Sequence, residues 1–102
     1  MAKLIAMYRT PSDPAAFDRY YFGSHMKIAK AIPGLTGYDV TRGPVMTPQG
    51  PAPYHLIATL SFASMAAIEA AFASPEGQAT VADTANFATG GLEIFFADTE
   101  AV

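Results

Sequence analysis

The segment D-P-A-A-F-D-R-Y-Y-F-G-S-H-M-K-I-A-K-A-I-P-G, Asp13 to Gly34, reads as one amphipathic helix with both ends marked. Asp13 suits the N-cap, where its carboxylate accepts from a free N–H of the first turn. Pro14 fits the first helical position, which needs no N–H donor. Pro33-Gly34 stops the helix. At about 100° per residue, Phe17, Tyr21, His25, Ile28 and Ile32 fall within roughly an 80° arc. Arg19, Gly23, Met26 and Lys30 lie opposite. The inward stripe is therefore apolar except for one phenol and one imidazole, spaced i and i+4.

Outward from this helix the chain alternates strand and helix signals. Lys3 to Arg9 is an apolar run read as the first strand, and Thr10 to Asp13 turns into the helix. Leu35 to Thr41 is the second strand, with Tyr38 and Val40 on one face. Gly43 to Pro53 holds four prolines and two glycines, so a mobile loop is expected there. Tyr54 to Phe62 is the clearest strand: Leu56, Ala58, Leu60 and Phe62 alternate with His55, Ile57, Thr59 and Ser61. Ser64 caps a short helix carrying Met65, Ile68 and Phe72. Ser74-Pro75 opens a turn or helix running to about Asp83. Asn86 to Gly91 is a loop, Leu92 to Ala97 the last strand, and Asp98 to Val102 a mobile tail. The order β-α-β-β-α-β is that of the ferredoxin-like α+β fold, an antiparallel four-stranded sheet with helices on one face.

Three of these strands are apolar on both faces. Two helices cover one face of a sheet and leave Ile5, Met7, Ile57 and Phe95 in water. Each such side chain gains about 1.5–3 kcal/mol from full burial. Two sheets packed face to face in a homodimer satisfy both faces, and a two-fold dimer is the commonest route to that.

Composition narrows the function. The chain has 102 residues, 51% hydrophobic and 15% charged, which suits one domain spanning residues 1–102 with ample core. Its net charge is −3, and its six Lys and Arg are scattered, so no nucleic-acid footprint is present. It has no cysteine, which removes thiolate catalysis, disulfides and thiolate metal sites. Leu4 to Met7 is too short for a signal h-region, and no run approaches the roughly 18 apolar residues of a membrane span. A cytoplasmic protein without membrane partners is expected.

The segments F-D-R-Y-Y-F-G-S-H, I-P-G-L-T-G-Y-D-V-T-R-G, Y-H-L-I-A-T-L-S-F and S-P-E-G-Q-A-T-V-A-D-T-A-N-F-A-T-G-G, in this order, resemble the EthD family, named for ethyl tert-butyl ether degradation. The resemblance covers nearly the whole chain. It implies a dimeric α+β barrel, in which two ferredoxin-like subunits pack their sheets together. That superfamily includes muconolactone isomerase, cofactor-independent monooxygenases, polyketide-processing enzymes and haem enzymes of the chlorite dismutase kind. The fold alone therefore does not fix the chemistry. Many relatives carry proline two residues after the helix histidine, where this chain has Lys27.

His25 with Tyr21 is the leading catalytic candidate, since imidazole titrates near neutrality and serves as general acid or base. The alternative is a core histidine bonded to backbone. Asp39 is the carboxylate considered as a neighbour of His25. Tyr38, Phe87 and Asn86 are candidate substrate-binding residues, the last two as the mouth of a pocket. His55, alternating with the leucines, is expected on the face opposite them. Two histidines do not make a metal site without further ligands, and nothing suggests a haem pocket, so neither metal nor cofactor is expected. The expected function is binding of an apolar or aromatic metabolite in a helix–sheet cleft, with acid–base isomerisation or cofactor-free oxidation as the chemistry in a degradation pathway. The alternative is a non-catalytic accessory or carrier protein of such a pathway.

Overall fold

A computed structural model describes all residues, 1–102. Strand β1 is Ala2–Arg9 and is followed by helix α1, Pro14–Tyr20, a π-helical turn, Tyr21–His25, and helix α2, Met26–Ala29. Strand β2 is Gly37–Val40, and the short strands β3, Met46–Thr47, and β4, Gly50–Pro51, form a separate hairpin. Strand β5 is Tyr54–Phe62. Helix α3, Met65–Ala73, and helix α4, Pro75–Asp83, lead through a 3-10 turn, Thr84–Asn86, to strand β6, Leu92–Asp98. The main sheet is antiparallel with strand order β2-β5-β1-β6. This is the α+β, ferredoxin-like arrangement that the order of sequence signals predicts.

The core lies between sheet and helices. Ala2, Leu4, Ala6 and Tyr8 of β1 and Leu56, Ala58, Leu60 and Phe62 of β5 are buried against Phe17, Tyr21, Ala29, Ile32, Ile68, Ala71 and Phe87. Asp13 caps α1 by accepting from the Ala16 N–H at 3.1 Å. Ser74 caps the C-terminus of α3 and the N-terminus of α4 in turn, accepting from the Gly77 N–H at 3.1 Å. The two helices meet so closely there that a Cβ on Gly77 would stand 2.1 Å from the Ala71 carbonyl oxygen.

Four local expectations are corrected. The long helix is not uniformly α: the Met26 N–H reaches back five residues to the Tyr21 carbonyl. A π-turn inserts one extra residue into the helical repeat. The buried sequence therefore becomes Phe17, Tyr21, His25, Ala29 and Ile32, with Ile28 only half-buried. The proline-rich segment is not structureless, because β3 and β4 pair Met46 with Pro51 and Thr47 with Gly50. The Ala52 N–H bonds the Val45 carbonyl at 2.9 Å, so the Met46–Pro51 pair falls at a non-hydrogen-bonded position where proline lacks nothing. His55 is a bulge residue, skipped between the pairs Tyr8–Leu56 and Arg9–Tyr54. The bulge turns its ring against Phe17, 4.9 Å between centroids, and brings Nε2 within 2.8 Å of Asp18. Bulges re-aim side chains in this way. Finally, β6 runs through Asp98, and the Thr99 N–H bonds the Met1 carbonyl at 2.8 Å.

The helix layer stops short at the β6 edge. Leu92, Ile94 and Phe96 pair with Tyr8, Ala6 and Leu4 and share their helix-facing side. Yet Ile94 and Phe96 remain 41% and 51% exposed. That gap is the mouth of the cavity described next.

Candidate functional site

Between the helices and the sheet lies a cavity of about 370 Å³. Its walls are mostly apolar, from Leu4, Ala6, Ala58, Leu60, Ile68 and Phe72, with Val81, Ile94 and Phe96 toward the opening. Its polar wall is formed by Tyr8, Tyr21, His25 and Tyr38, with Thr80 and Thr84, and Glu69 is its one carboxylate. A concave apolar chamber with a few convergent polar groups is the usual form of a small-molecule site.

The π-turn carries His25 inward, where the residue is 2% exposed. Its Nδ1 lies 2.8 Å from Asp83 Oδ2 at the end of α4. The other carboxylate oxygen, Oδ1, accepts from the Tyr20 hydroxyl at 2.6 Å and from Asn86 Nδ2 at 3.0 Å. Asp83 is thus held by three donors from three segments. Burial pushes its carboxyl up, but the bonds from Tyr20, His25 and Asn86 outweigh that and hold it below the usual carboxylate range. Burial lowers the His25 pKa, and the opposing pull of Asp83 does not cancel it. A neutral imidazole beside an ionised carboxylate donates Nδ1–H to it and leaves its lone pair on Nε2. No protein group bonds Nε2, and no sealed side-chain nitrogen or oxygen lacks a partner. Nε2 therefore opens onto the cavity with its lone pair free.

The phenols form a second cluster. Tyr21 on the π-turn and Tyr38 on β2 bring their hydroxyls within 2.7 Å. Burial raises the pKa of both, as it does that of Tyr8, so all three remain protonated. Phe87 stands behind the imidazole, 4.6 Å between ring centroids, and packs against Tyr8, Phe17, Tyr20 and Tyr21 as well. Neither Phe87 nor Asn86 lines the cavity. Phe87 fills the space behind the ring, and Asn86 braces the carboxylate.

Of the residues singled out from sequence, the structure brings together His25, Tyr21 and Tyr38 at the cavity wall, with Phe87 and Asn86 behind them. Asp39 is corrected as a neighbour of His25. It pairs with Thr59 and is exposed on the far face of the sheet. The carboxylate that faces His25 is Asp83, which sequence reasoning passes over together with Tyr8 and Tyr20. Asp83 ends a buried stripe of Gly77 and Thr80, small and polar residues that give no amphipathic signal. A lone acidic residue in an apolar context at i+3 from Thr80 is the only sequence cue. No group of three His, Asp or Glu is placed to hold a metal ion, and no helix is long and apolar enough to cross a membrane.

Sheet, helix layer and cavity together define a small ferredoxin-like α+β protein with a ligand-sized chamber between its layers. The chain belongs to the EthD domain family, whose model matches residues 9–91. An uncharacterized 11.0 kDa protein in the thcB-thcC intergenic region of Rhodococcus erythropolis is 40% identical over 102 residues, covering 100% of this chain and 98% of that protein. The crystal structure of an ethyl tert-butyl ether degradation (EthD) family protein from Bacillus halodurans matches with a TM-score of 0.90 and 32% identity, covering 98% of this chain and 99% of that one. SnoaB, a cofactor-independent oxygenase from Streptomyces nogalater, matches with a TM-score of 0.67 over 99% of this chain and 94% of that one. At 16% identity that likeness is one of fold alone.

Proposed function

We infer that this protein binds a small apolar or aromatic metabolite in the helix–sheet cavity and that His25 acts on it as a general base. The observation that carries this reading is the His25–Asp83 pair at the cavity wall: one imidazole nitrogen is fixed by a buried carboxylate, and the other faces the chamber. Asp83 holds the tautomer and stabilises the imidazolium formed when Nε2 takes a proton, the role a buried aspartate plays beside a catalytic histidine. Tyr21 positions Tyr38 through their shared hydrogen bond, and Phe87 and Asn86 fix the pair from behind. The reaction class is acid–base: relocation of a proton in an isomerisation, or oxidation of the deprotonated ligand by dioxygen without a cofactor.

The reading includes a homodimer. Ile5, Met7, Ile57 and Phe95 share the face of the sheet turned away from the helices, as the pairs Ile5–Phe95 and Met7–Ile57 require. Phe95 is 56% exposed there. A second copy packed sheet to sheet covers this face, leaving each cavity on the outer side of its own sheet.

The test begins with mass spectrometry of small molecules released from purified protein. The released compound is then incubated in air with wild type and with His25→Ala. Conversion by wild type that falls at least a hundredfold in the folded variant supports the base role. Equal conversion by both removes His25 from the chemistry. A compound held by wild type and returned unchanged favours a carrier.

A further inference from the structure

We propose that Tyr8 and Tyr38 form a pair of hydroxyl donors facing His25 Nε2 across the cavity, and that the ligand is a hydroxylated aromatic or an enol whose oxygen they hold as it loses its proton. This rests on the reading of His25 as a base and names the class of molecule that such a base serves here.

Tyr8 is buried on β1 and lines the cavity. Its hydroxyl bonds no protein group, and the absence of any sealed, unpartnered side-chain oxygen means that it opens onto the chamber. Its ring packs edge-on to Phe17 and Tyr21, with centroids 5.4 Å and 5.6 Å away, so the phenol has a fixed direction. Tyr21 and Tyr38 share one hydrogen bond but own two hydroxyl protons. Either hydroxyl can donate in that bond; we assign the donation to Tyr21, the more deeply buried at 1% exposure. The Tyr38 proton then points into the cavity. Thr80 and Thr84 spend their hydroxyl protons on the Glu76 and Val81 carbonyls, so beside the Glu69 carboxylate the chamber offers the acceptor Nε2 and two free donors, the hydroxyls of Tyr8 and Tyr38.

No Lys or Arg lines the cavity, and Glu69 does. A ligand that enters as a carboxylate or phosphate finds no counter-charge. A neutral ligand with a hydroxyl fits: it gives O–H to Nε2 and accepts from the tyrosines. In the step itself the ligand O–H bond breaks, and its proton forms the new Nε2–H bond. The electron pair stays on the ligand oxygen, the Nδ1–H stays toward Asp83, and the oxyanion is held by two O–H donors. Donors preorganised at a developing oxyanion are among the strongest catalytic devices.

The experiment uses 4-nitrophenol, 4-nitroanisole and nitrobenzene as probes of the full-length protein, with wild type, Tyr8→Phe and Tyr38→Phe. Binding is followed by tryptophan-free tyrosine fluorescence and calorimetry, and ionisation by the phenolate absorption band. Wild type is expected to bind 4-nitrophenol about tenfold or more above 4-nitroanisole, whose methyl group blocks donation to Nε2. The ionisation midpoint of bound 4-nitrophenol is expected to fall by about one pH unit relative to the free probe. Either Tyr→Phe change is expected to return most of that shift while leaving nitrobenzene affinity within about twofold. Equal binding of all three probes, with no change in ionisation on removing either hydroxyl, overturns the donor pair but leaves an apolar binding cavity standing. Failure of every probe to bind overturns the cavity reading and this proposal with it.

Discussion

Asp83→Asn tests the logic of the site most sharply, because the new side chain is nearly the same shape and its orientation is decided by its neighbours. Tyr20 and Asn86 both donate to Oδ1. They require an oxygen at that position, so the new amide turns its NH₂ group to the Oδ2 position, 2.8 Å from His25 Nδ1. Nδ1 must then accept, and the imidazole proton moves to Nε2. The cavity nitrogen changes from acceptor to donor and ceases to be a base. Three bonds to a charged acceptor, each contributing about 1.5–3 kcal/mol, become neutral bonds of about 0.5–1.5 kcal/mol. Relief of a buried charge offsets part of that loss, and a net cost of about 1–3 kcal/mol follows. For a chain of this size each kcal/mol moves Tm by roughly 4–8 °C. The assay is thermal melting at neutral pH with nitrogen NMR of the imidazole. Wild type should show the Nδ1–H tautomer and the variant the Nε2–H tautomer. An unchanged tautomer with unchanged melting would refute the claim that Asp83 orients His25.

Acid should destabilise the fold in two stages. The folded pKa of His25 lies below its ordinary 6.5, so as pH falls through 6.5 the unfolded chain binds a proton that the folded chain refuses; His25→Gln should flatten this first stage in pH-dependent denaturant melts. Asp83, depressed below its ordinary 3.8, contributes stability present above that value and lost as pH falls through its folded pKa, and Asp83→Asn should abolish the second stage. Replacing Phe95 or Ile57 with Glu should convert a dimer to monomer in analytical ultracentrifugation, and a wild type that sediments as a monomer at micromolar concentration removes the sheet-to-sheet dimer. Gly77→Ala should cost about 1–3 kcal/mol through overpacking, since its Cβ meets the Ala71 carbonyl oxygen at 2.1 Å; a variant that melts with wild type would mean that α3 and α4 separate freely at Ser74.

The order of the four main-sheet strands and the helices between them, the inward phenol and imidazole, and the apolar outer face of the sheet were legible in the chain, because hydrophobic periodicity and capping residues are local properties. Asp13, Pro14 and Ser64 act on backbone groups within one turn of themselves, and Tyr54 to Phe62 alternates whatever surrounds it. The identity of the carboxylate beside His25 was not local. Asp83 lies 58 residues away and reaches the ring only when α4 packs against the helical segment after the π-turn. Its own neighbourhood marks it only as a lone acidic residue three positions after Thr80, since a residue whose partners are polar has no apolar period to follow. The π-turn and the β5 bulge are of the same kind: each inserts one residue to aim His25 or His55 at a partner on another element. Sequence pattern sets which face a residue is offered to, but a one-residue slip in the backbone re-aims it, and only packing across the whole fold decides where such a slip lowers the energy.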